Sequence, residues 1–414
     1  MHAPPRTLRI GSFNIRYDRA SKYGGLLQPV DKILSAVSSS KGSTRGEGGK
    51  KDRWGEHPWH ERRDKLVDQV LFSELDVVGF QEVLDGQYED LKVLLGREEW
   101  GSVGVGRDDG KRAGEAVPIF YRRDRLSLLR SHHFWLSPTP SIPGSKGWDA
   151  DSTRMATMAF FRLVSPSTSS SSTDEAEQAD LVVVNTHWDH LGLVARTESA
   201  RLILRQVADL TSPAPTPTTR RDPLVILLGD LNSVAEEEGY QVLTGRRYLP
   251  GGGGEGGSSD AEGKGENQVK SFYDARHELA KRGTKLEGVG AMSRRFGPLN
   301  TFTGFSPSDD PKVIDFILPY SNEAFLPPNA SSDLSSTPKS NATISAGEGE
   351  GQDVVEKMRK RDGQTRWKVH RYGVVPNFFE DIGGKRGEEG EGEADGMLVS
   401  DHRLVVVGME EVVV

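Results

Sequence analysis

Stretches of strand-like apolar sequence in this chain stop abruptly at carboxylate, amide or imidazole side chains. "IGSFN" ends at Asn14, "VVGFQE" at Gln81 and Glu82, "VVVNTH" at His187, and "VILLGDLN" at Asp230 and Asn232. "VIDF" contains Asp315, and "LVSDHRLVVV" sets Asp401 and His402 just before a final apolar run. An unpaired buried carboxylate is costly, and several together repel one another. The pattern therefore requires a fold that gathers these strand ends on one rim and supplies them with compensating charge.

The segments between these ends alternate in period. "LRIGSFNI" reads as a strand, and "ERRDKLVDQVLFSE" as a helix with Leu66, Val67, Val70 and Leu71 at helical spacing. "LDVVGFQEV" is a strand, "YEDLKVLLG" a helix closed by Gly96, and "VPIFYRRDRLSLLRSHHFWL" two strands joined by a charged turn, read as a hairpin. The second half repeats the order: strands in "TRMATMAFFRL" and "ADLVVVNTH", an amphipathic helix in "VARTESARLILRQVADL", and a strand in "PLVILLGD". "VIDFIL", "WKVHRYGVV" and "HRLVVVGM" supply three further strands. Two strand-rich halves with helices predict an α/β fold: a four-layer sandwich of two packed sheets flanked by helices.

A hydrophobic fraction of 35% is low for 414 residues, and the deficit is concentrated. Six Ser-, Gly-, Pro-, Lys- or Glu-rich stretches, at about 35–52, 165–179, 211–222, 250–268, 328–365 and 383–396, read as surface insertions. No segment between them is long enough for a core of its own, so one domain spanning 7–409 is expected. The sequons at Asn329 and Asn341 fall in one such stretch and carry little weight.

The same polar ends suggest chemistry. The chain has no cysteine, which excludes disulfides, thiolate nucleophiles and cysteine-bound zinc. A surplus of carboxylate and amide oxygens favours Mg²⁺ or Mn²⁺, with the histidines as acid/base or phosphate-stabilising groups. Asp230 and Asn232 lie two apart, so on an extended strand end they would face one object together. Metal, carboxylate-activated water and imidazole suit hydrolysis of a phosphate ester. A formal charge of -8 gives no bulk attraction for long nucleic acid. No secretory or membrane-length apolar run occurs, so a cytosolic or nuclear location without stable membrane insertion is the expectation.

Taken in order, "SFNI", "QEV", "GEAVPIFYRRD", "NTHWDH", "GDLN", "VIDFIL" and "SDH" resemble the DNase I-like endonuclease/exonuclease/phosphatase superfamily. The resemblance is nearest to its carbon catabolite repressor deadenylase and nocturnin-like branch. It implies two mixed β-sheets and the following roles. Glu82 is the main metal carboxylate, with Asn14 and Asp401 beside the metal. Asp230 orients or deprotonates the attacking water, and Asn232 holds the scissile phosphate. His402, aimed by Asp315, stabilises the transition state. His187, paired with Glu115 and so raised in pKa, acts on the leaving oxygen, while Arg154 and Arg196 contact phosphate. "VIDFIL" lacks the aromatic and arginine context of the inositol polyphosphate phosphatases, which argues against that branch.

Neighbouring residues divide between structure and site. Trp188 should point away from His187 into the core, with Asp189 and His190 in support. Tyr121 reads as a strand-core aromatic. "WGEHPWHERR" fits either a base-stacking loop or a helix-start staple formed by Trp59. The expected function is a metal-dependent phosphodiesterase or nuclease acting on RNA or a nucleotide, with 3'-to-5' RNA exonuclease as its narrowest form. The alternatives are an esterase of small-molecule or lipid phosphates, or a noncatalytic binding module on the same fold.

Overall fold

In chain order the first elements are strand β1 (Thr7–Asn14), helix α1 (Trp59–Phe72), β2 (Val77–Gln81), helix α2 (Asp85–Leu94), β3 (Trp100–Val103) and β4 (Ile119–Arg122). There follow β5 (Leu126–Trp135), β6 (Met155–Leu163), β7 (Leu181–His187), helix α3 (Leu193–Thr211), β8 (Leu224–Asp230) and helix α4 (Glu238–Leu243). The last are β9 (Asp315–Pro319), β10 (Thr365–Val374), β11 (Phe378–Phe379), β12 (Met397–Leu398) and β13 (Val405–Val413). The computed structural model describes residues 6–18, 55–164, 179–211, 222–246, 270–279, 295–322, 324–325, 327, 365–379 and 397–413. The six polar stretches and both sequons lie outside these residues, apart from residues at the edges of some stretches.

Two mixed sheets form, six strands in the order β10-β13-β1-β2-β4-β3 and five in the order β5-β6-β7-β8-β9. Each contains one parallel pair, β1 with β2 and β7 with β8. Parallel partners finish at the same end, so Asn14 comes to lie beside Gln81, and His187 beside Asp230. β9 runs antiparallel to β8 and begins where β8 stops, which sets Asp315 against Asp230. The rim inferred from the sequence is therefore a result of strand direction.

Alternation along the strands builds the four layers. Val77 and Ile10 face the other sheet, where they join Leu181, Val183, Ile226 and Leu228. Val78 and Phe80 face outward, packing with Leu66, Val67 and Val70 of α1 and Leu91 of α2. Val182 and Val184 meet Ala200, Ile203 and Val207 of α3. Leu71 is 44% exposed, so the buried stripe of α1 is narrower than its apolar sequence. No described helix is long and apolar enough to cross a membrane.

One expected connection is different. β4 and β5 do not form a hairpin, because β4 is already paired on both edges by β2 and β3, and β5 opens the other sheet. The "RRD" turn is instead a crossing between sheets, fastened by Arg125 Nε to Asp76 Oδ1 at 2.9 Å. Its length and charge suit either connection.

Just below the rim the sheets are joined by a buried amide. Asn185 of β7 donates from Nδ2 to the carbonyls of Phe80 (2.8 Å) and Pro118 (2.9 Å), and its Oδ1 accepts from Gln81 Nε2 at 2.7 Å. Gly79 makes room for it, since a Cβ there would collide with Leu228 and the Asn185 amide. Asn185→Leu would remove all three of these buried bonds, each worth about 0.5–1.5 kcal/mol. Urea unfolding should show a loss of at least about 2 kcal/mol with an unchanged slope; a loss below about 0.5 kcal/mol would contradict the assignment.

Candidate active site

Asp230 occupies the middle of the rim and is 1% exposed. Its Oδ1 accepts the backbone N–H of Asn232 at 2.8 Å, and its Oδ2 accepts from Asn14 Nδ2 at 3.0 Å. His187 Nε2 lies 3.5 Å and His402 Nε2 3.6 Å from the same Oδ2. Asn232 reaches the site through a turn, not through strand alternation. Its φ of 44° is left-handed, a conformation asparagine tolerates, and the chain doubles back onto Asp230.

On one side, His402 Nδ1 bonds Asp315 Oδ2 at 2.9 Å, which leaves Nε2 facing Asp230. Burial alone would lower the His402 pKa, but the carboxylates of Asp315 and Asp230 outweigh it and push it up to about 10. Burial above all, together with Asp315, raises Asp230 to about 7 despite the nearby His402. Asp230 and His402 lie 3.6 Å apart, so the titration of each depends on the other.

On the other side, Asn14 Nδ2 also donates to Glu82 Oε1 at 2.9 Å, and Glu82 Oε2 accepts the Tyr17 N–H at 3.1 Å. Glu82 sits at φ 59°, as does Arg16, so the exits of β1 and β2 both bend into the left-handed region. Such backbone costs about 1–3 kcal/mol per residue and persists where surrounding bonds enforce it. Glu82, Asp230 and His402 each offer a ligand atom, all within 4.8 Å of one another, so this group could hold a metal ion. Asp401 stands further along, with Arg16 Nη1 3.9 Å from it and 3.8 Å from Glu82. A set dominated by carboxylate oxygen fits a hard divalent cation. Asn14 turns its nitrogen to the carboxylates and its Oδ1 to the Arg16 N–H (3.0 Å), so it bridges Glu82 and Asp230.

The expected pairing of His187 with Glu115 is not what the structure shows. Glu115 Oε2 is 4.0 Å from His187 Nδ1 and is engaged by Arg107 at 2.7 Å. Arg154 Nη1 takes the place, 2.9 Å from Nδ1. Burial, and next the Arg154 charge, hold the His187 pKa well below 6.5, the reverse of the expected rise. Arg154 therefore reaches the site and addresses an imidazole there. Arg196 does not reach it: its guanidinium is spent on Glu237 at 2.8 Å and the Asp189 carbonyl at 3.0 Å, tying α3 to its neighbouring loop.

Other expectations are met. Trp188 is fully buried in the cluster under α3, and Tyr121 packs on Phe161 with ring centroids 4.9 Å apart. Asp189 accepts from the N–H groups of Ser152, Leu191 and Gly192, and His190 is exposed. Within "WGEHPWHERR", Trp59 is structural, buried with Nε1 on Asp90 at 2.9 Å, and Trp54 lies outside the described residues. In the same segment Arg62 is fully buried and donates to the carbonyls of Ile15, Arg16, His57 and Val399. That brings together the loops that carry Arg16 and Asp401.

Sequence reasoning passed over Arg16, Arg62 and the segment around Thr301 and Phe302. Thr301 Oγ1 accepts the N–H groups of Ile314 and Asp315, both at 3.1 Å, and Phe302 lies edge-on to His402 at 5.0 Å. "NTFTGF" is a short polar and aromatic run with no clear period, so nothing in it announced a place beside Asp315. Arg16 directly follows "SFNI" and could have been found by asking what neutralises Glu82.

The overall likeness to solved structures is extensive. An endonuclease/exonuclease/phosphatase family protein from Bacteroides thetaiotaomicron is 22% identical with a TM-score of 0.58, covering 99% of each chain. Its counterpart from Bacteroides vulgatus is 24% identical with a TM-score of 0.56, covering 98% of this chain and 99% of that one. A Bacteroides thetaiotaomicron mannosyl-6-phosphatase is 21% identical with a TM-score of 0.57, at the same coverage. No curated protein sequence matches the chain. The Endonuclease/Exonuclease/phosphatase family matches residues 11–336, more than half of the 414, and the chain belongs to that family.

Proposed function

We propose that this chain, as one domain spanning 7–409, hydrolyses phosphate esters with the help of bound Mg²⁺ or Mn²⁺. The observation that carries the reading is the placement of Asp230. One carboxylate oxygen faces Asn14 and both histidines within 3.0–3.6 Å, beside Glu82. Glu82 and Asp401 would hold the ion, which when bound supplies charge neutralisation at the phosphate. Asp230, buried and raised toward neutrality, takes the proton of the attacking water. His402, kept cationic by Asp315, donates from Nε2 to a phosphoryl oxygen as charge builds there. Asn232, whose amide lies 3.0 Å from His187 Nε2, borders the same phosphate.

The substrate proposed is a phosphodiester of RNA or nucleotide type, attacked at a 3' end. Support comes from the ordered motif series shared with nuclease branches of the superfamily. A second reading, hydrolysis of a small-molecule phosphate, is favoured by the formal charge of -8 and agrees with the name of the mannosyl-6-phosphatase relative.

Purified protein assayed on single-stranded RNA, DNA, nucleotides and sugar phosphates should act on at least one class with Mg²⁺ or Mn²⁺ and on none with chelator. Glu82→Ala and His402→Ala should each lower kcat by about a thousandfold or more. Intact substrates throughout would sink the proposal, and hydrolysis confined to sugar phosphates would replace the first substrate with the second.

The His402 pair also fixes a pH dependence. Its folded pKa of about 10 exceeds the ordinary 6.5, so its contribution to stability is complete below 6.5 and is lost as pH rises through about 10. Asp315→Asn removes the strongest favourable influence on that charge. The variant's stability should decline less steeply between those limits, and the alkaline limb of its kcat profile should move to lower pH. Urea unfolding and rate profiles across that range test both; parallel curves for variant and parent would refute the assignment.

A further inference from the structure

Arg62 stands on the buried stripe of α1 between Trp59 and Leu66, where an apolar side chain is the ordinary occupant, and it is fully buried. Burial lowers its pKa to about 10, and the field of Asp401 and other carboxylates opposes the fall, so the guanidinium is charged at neutral pH. Taking such a charge out of water is costly, and an apolar residue would pack here without that cost.

The bonds of Arg62 show what it joins. Nη1 donates to the carbonyls of Ile15 and Val399, the second at 3.0 Å, Nη2 to that of Arg16 at 2.7 Å, and Nε to that of His57 at 3.1 Å. Three separate segments thus meet on one planar group: the exit of β1, the entry to α1 and the residue after β12. Each segment continues into the centre. After the β1 carbonyls comes Tyr17, whose N–H goes to Glu82 Oε2 at 3.1 Å. Before His57 stands Glu56, which accepts from Arg16 Nε at 3.1 Å. After Val399 comes Ser400, with Oγ on the Asn14 carbonyl at 2.7 Å and 3.3 Å from Asp401 Oδ1. The left-handed turn at Arg16, φ 59°, lies directly on this clamp.

We propose that Arg62 is a positioning residue for the ion side of the centre, holding the β1 exit and the Ser400–Asp401 turn in the register at which Glu82 and Asp401 share one divalent cation. That this pair takes an ion rests on the phosphate-ester reading; the clamp itself does not. Mere charge compensation has the opposite signature. A cation that only offsets Glu82 and Asp401 also repels an incoming metal ion, so its loss would tighten ion binding. Loss of a support that aligns the ligands weakens it, by about 10–100-fold for residues that orient metal ligands.

The test titrates Mn²⁺ into the full chain, stripped of metal by chelator, with calorimetry near neutral pH. Arg62→Lys keeps the charge, but its ammonium is a point donor that cannot span three segments, so the Kd should rise about tenfold or more. Arg62→Met loses both charge and clamp, and its Kd should rise as well. Urea unfolding of each variant gives the folded fraction, so affinity is read for folded protein and separately from stability. Equal or tighter Mn²⁺ binding in either folded variant overturns the proposal while leaving the metal reading intact. Absence of Mn²⁺ binding by the parent overturns that reading and this proposal with it. Should the methionine variant not fold, the lysine variant decides alone.

Discussion

The molecule depends on a polar contact where apolar packing would be the ordinary solution. Asn185 reaches from one sheet to two carbonyls and an amide of the other, through the space left by Gly79. Apolar side chains can hold two sheets together, but they slide, because dispersion contacts have no direction. A buried amide with its partners satisfied permits one alignment only. That alignment sets Asn14 against Asp230 and His402 against Asp315, contacts that cross from sheet to sheet.

The charges at the rim are balanced in the same two-sided way. Glu82 and Asp401 are met by Arg16, with Arg62 beneath them bonded to four carbonyl oxygens. Asp230 and Asp315 are met by the cationic His402. The repulsion among buried carboxylates is thereby answered by the protein's own cations, although the residues that provide them are scattered along the chain. Burial raises Asp230 and Asp401, whereas Glu82, with Arg16 and Asn14 against it, is lowered despite the same burial. Unequal environments thus push neighbouring carboxylates in opposite directions.

Much of this was legible before any coordinates. Continuous apolar runs located the long strands, and polar residues at their ends located the rim, since strand direction carries those ends to one place. Short β3, β11, β12 and helix α4 were missed because four residues, two residues or a single turn and a half carry too little period. The β4–β5 connection could not be read, because edge availability depends on β2 and β3, which are distant information for a local turn. At the site, identity of residues was readable and partnership was not. Glu115 and Arg154 both stand near His187, and only the side-chain packing shows that the arginine makes the bond. Arg196, equally plausible on paper, is consumed by Glu237.

Each sheet contributes half of the centre, and this has a mechanical meaning. A displacement of one residue along a strand is about 3.3 Å, more than the difference between a hydrogen bond and none. The distances around Asp230 therefore act as a gauge of how the two sheets are seated on each other. The contacts such a displacement would break are those that cross the seam, while the ladder of backbone bonds within each sheet is untouched by it.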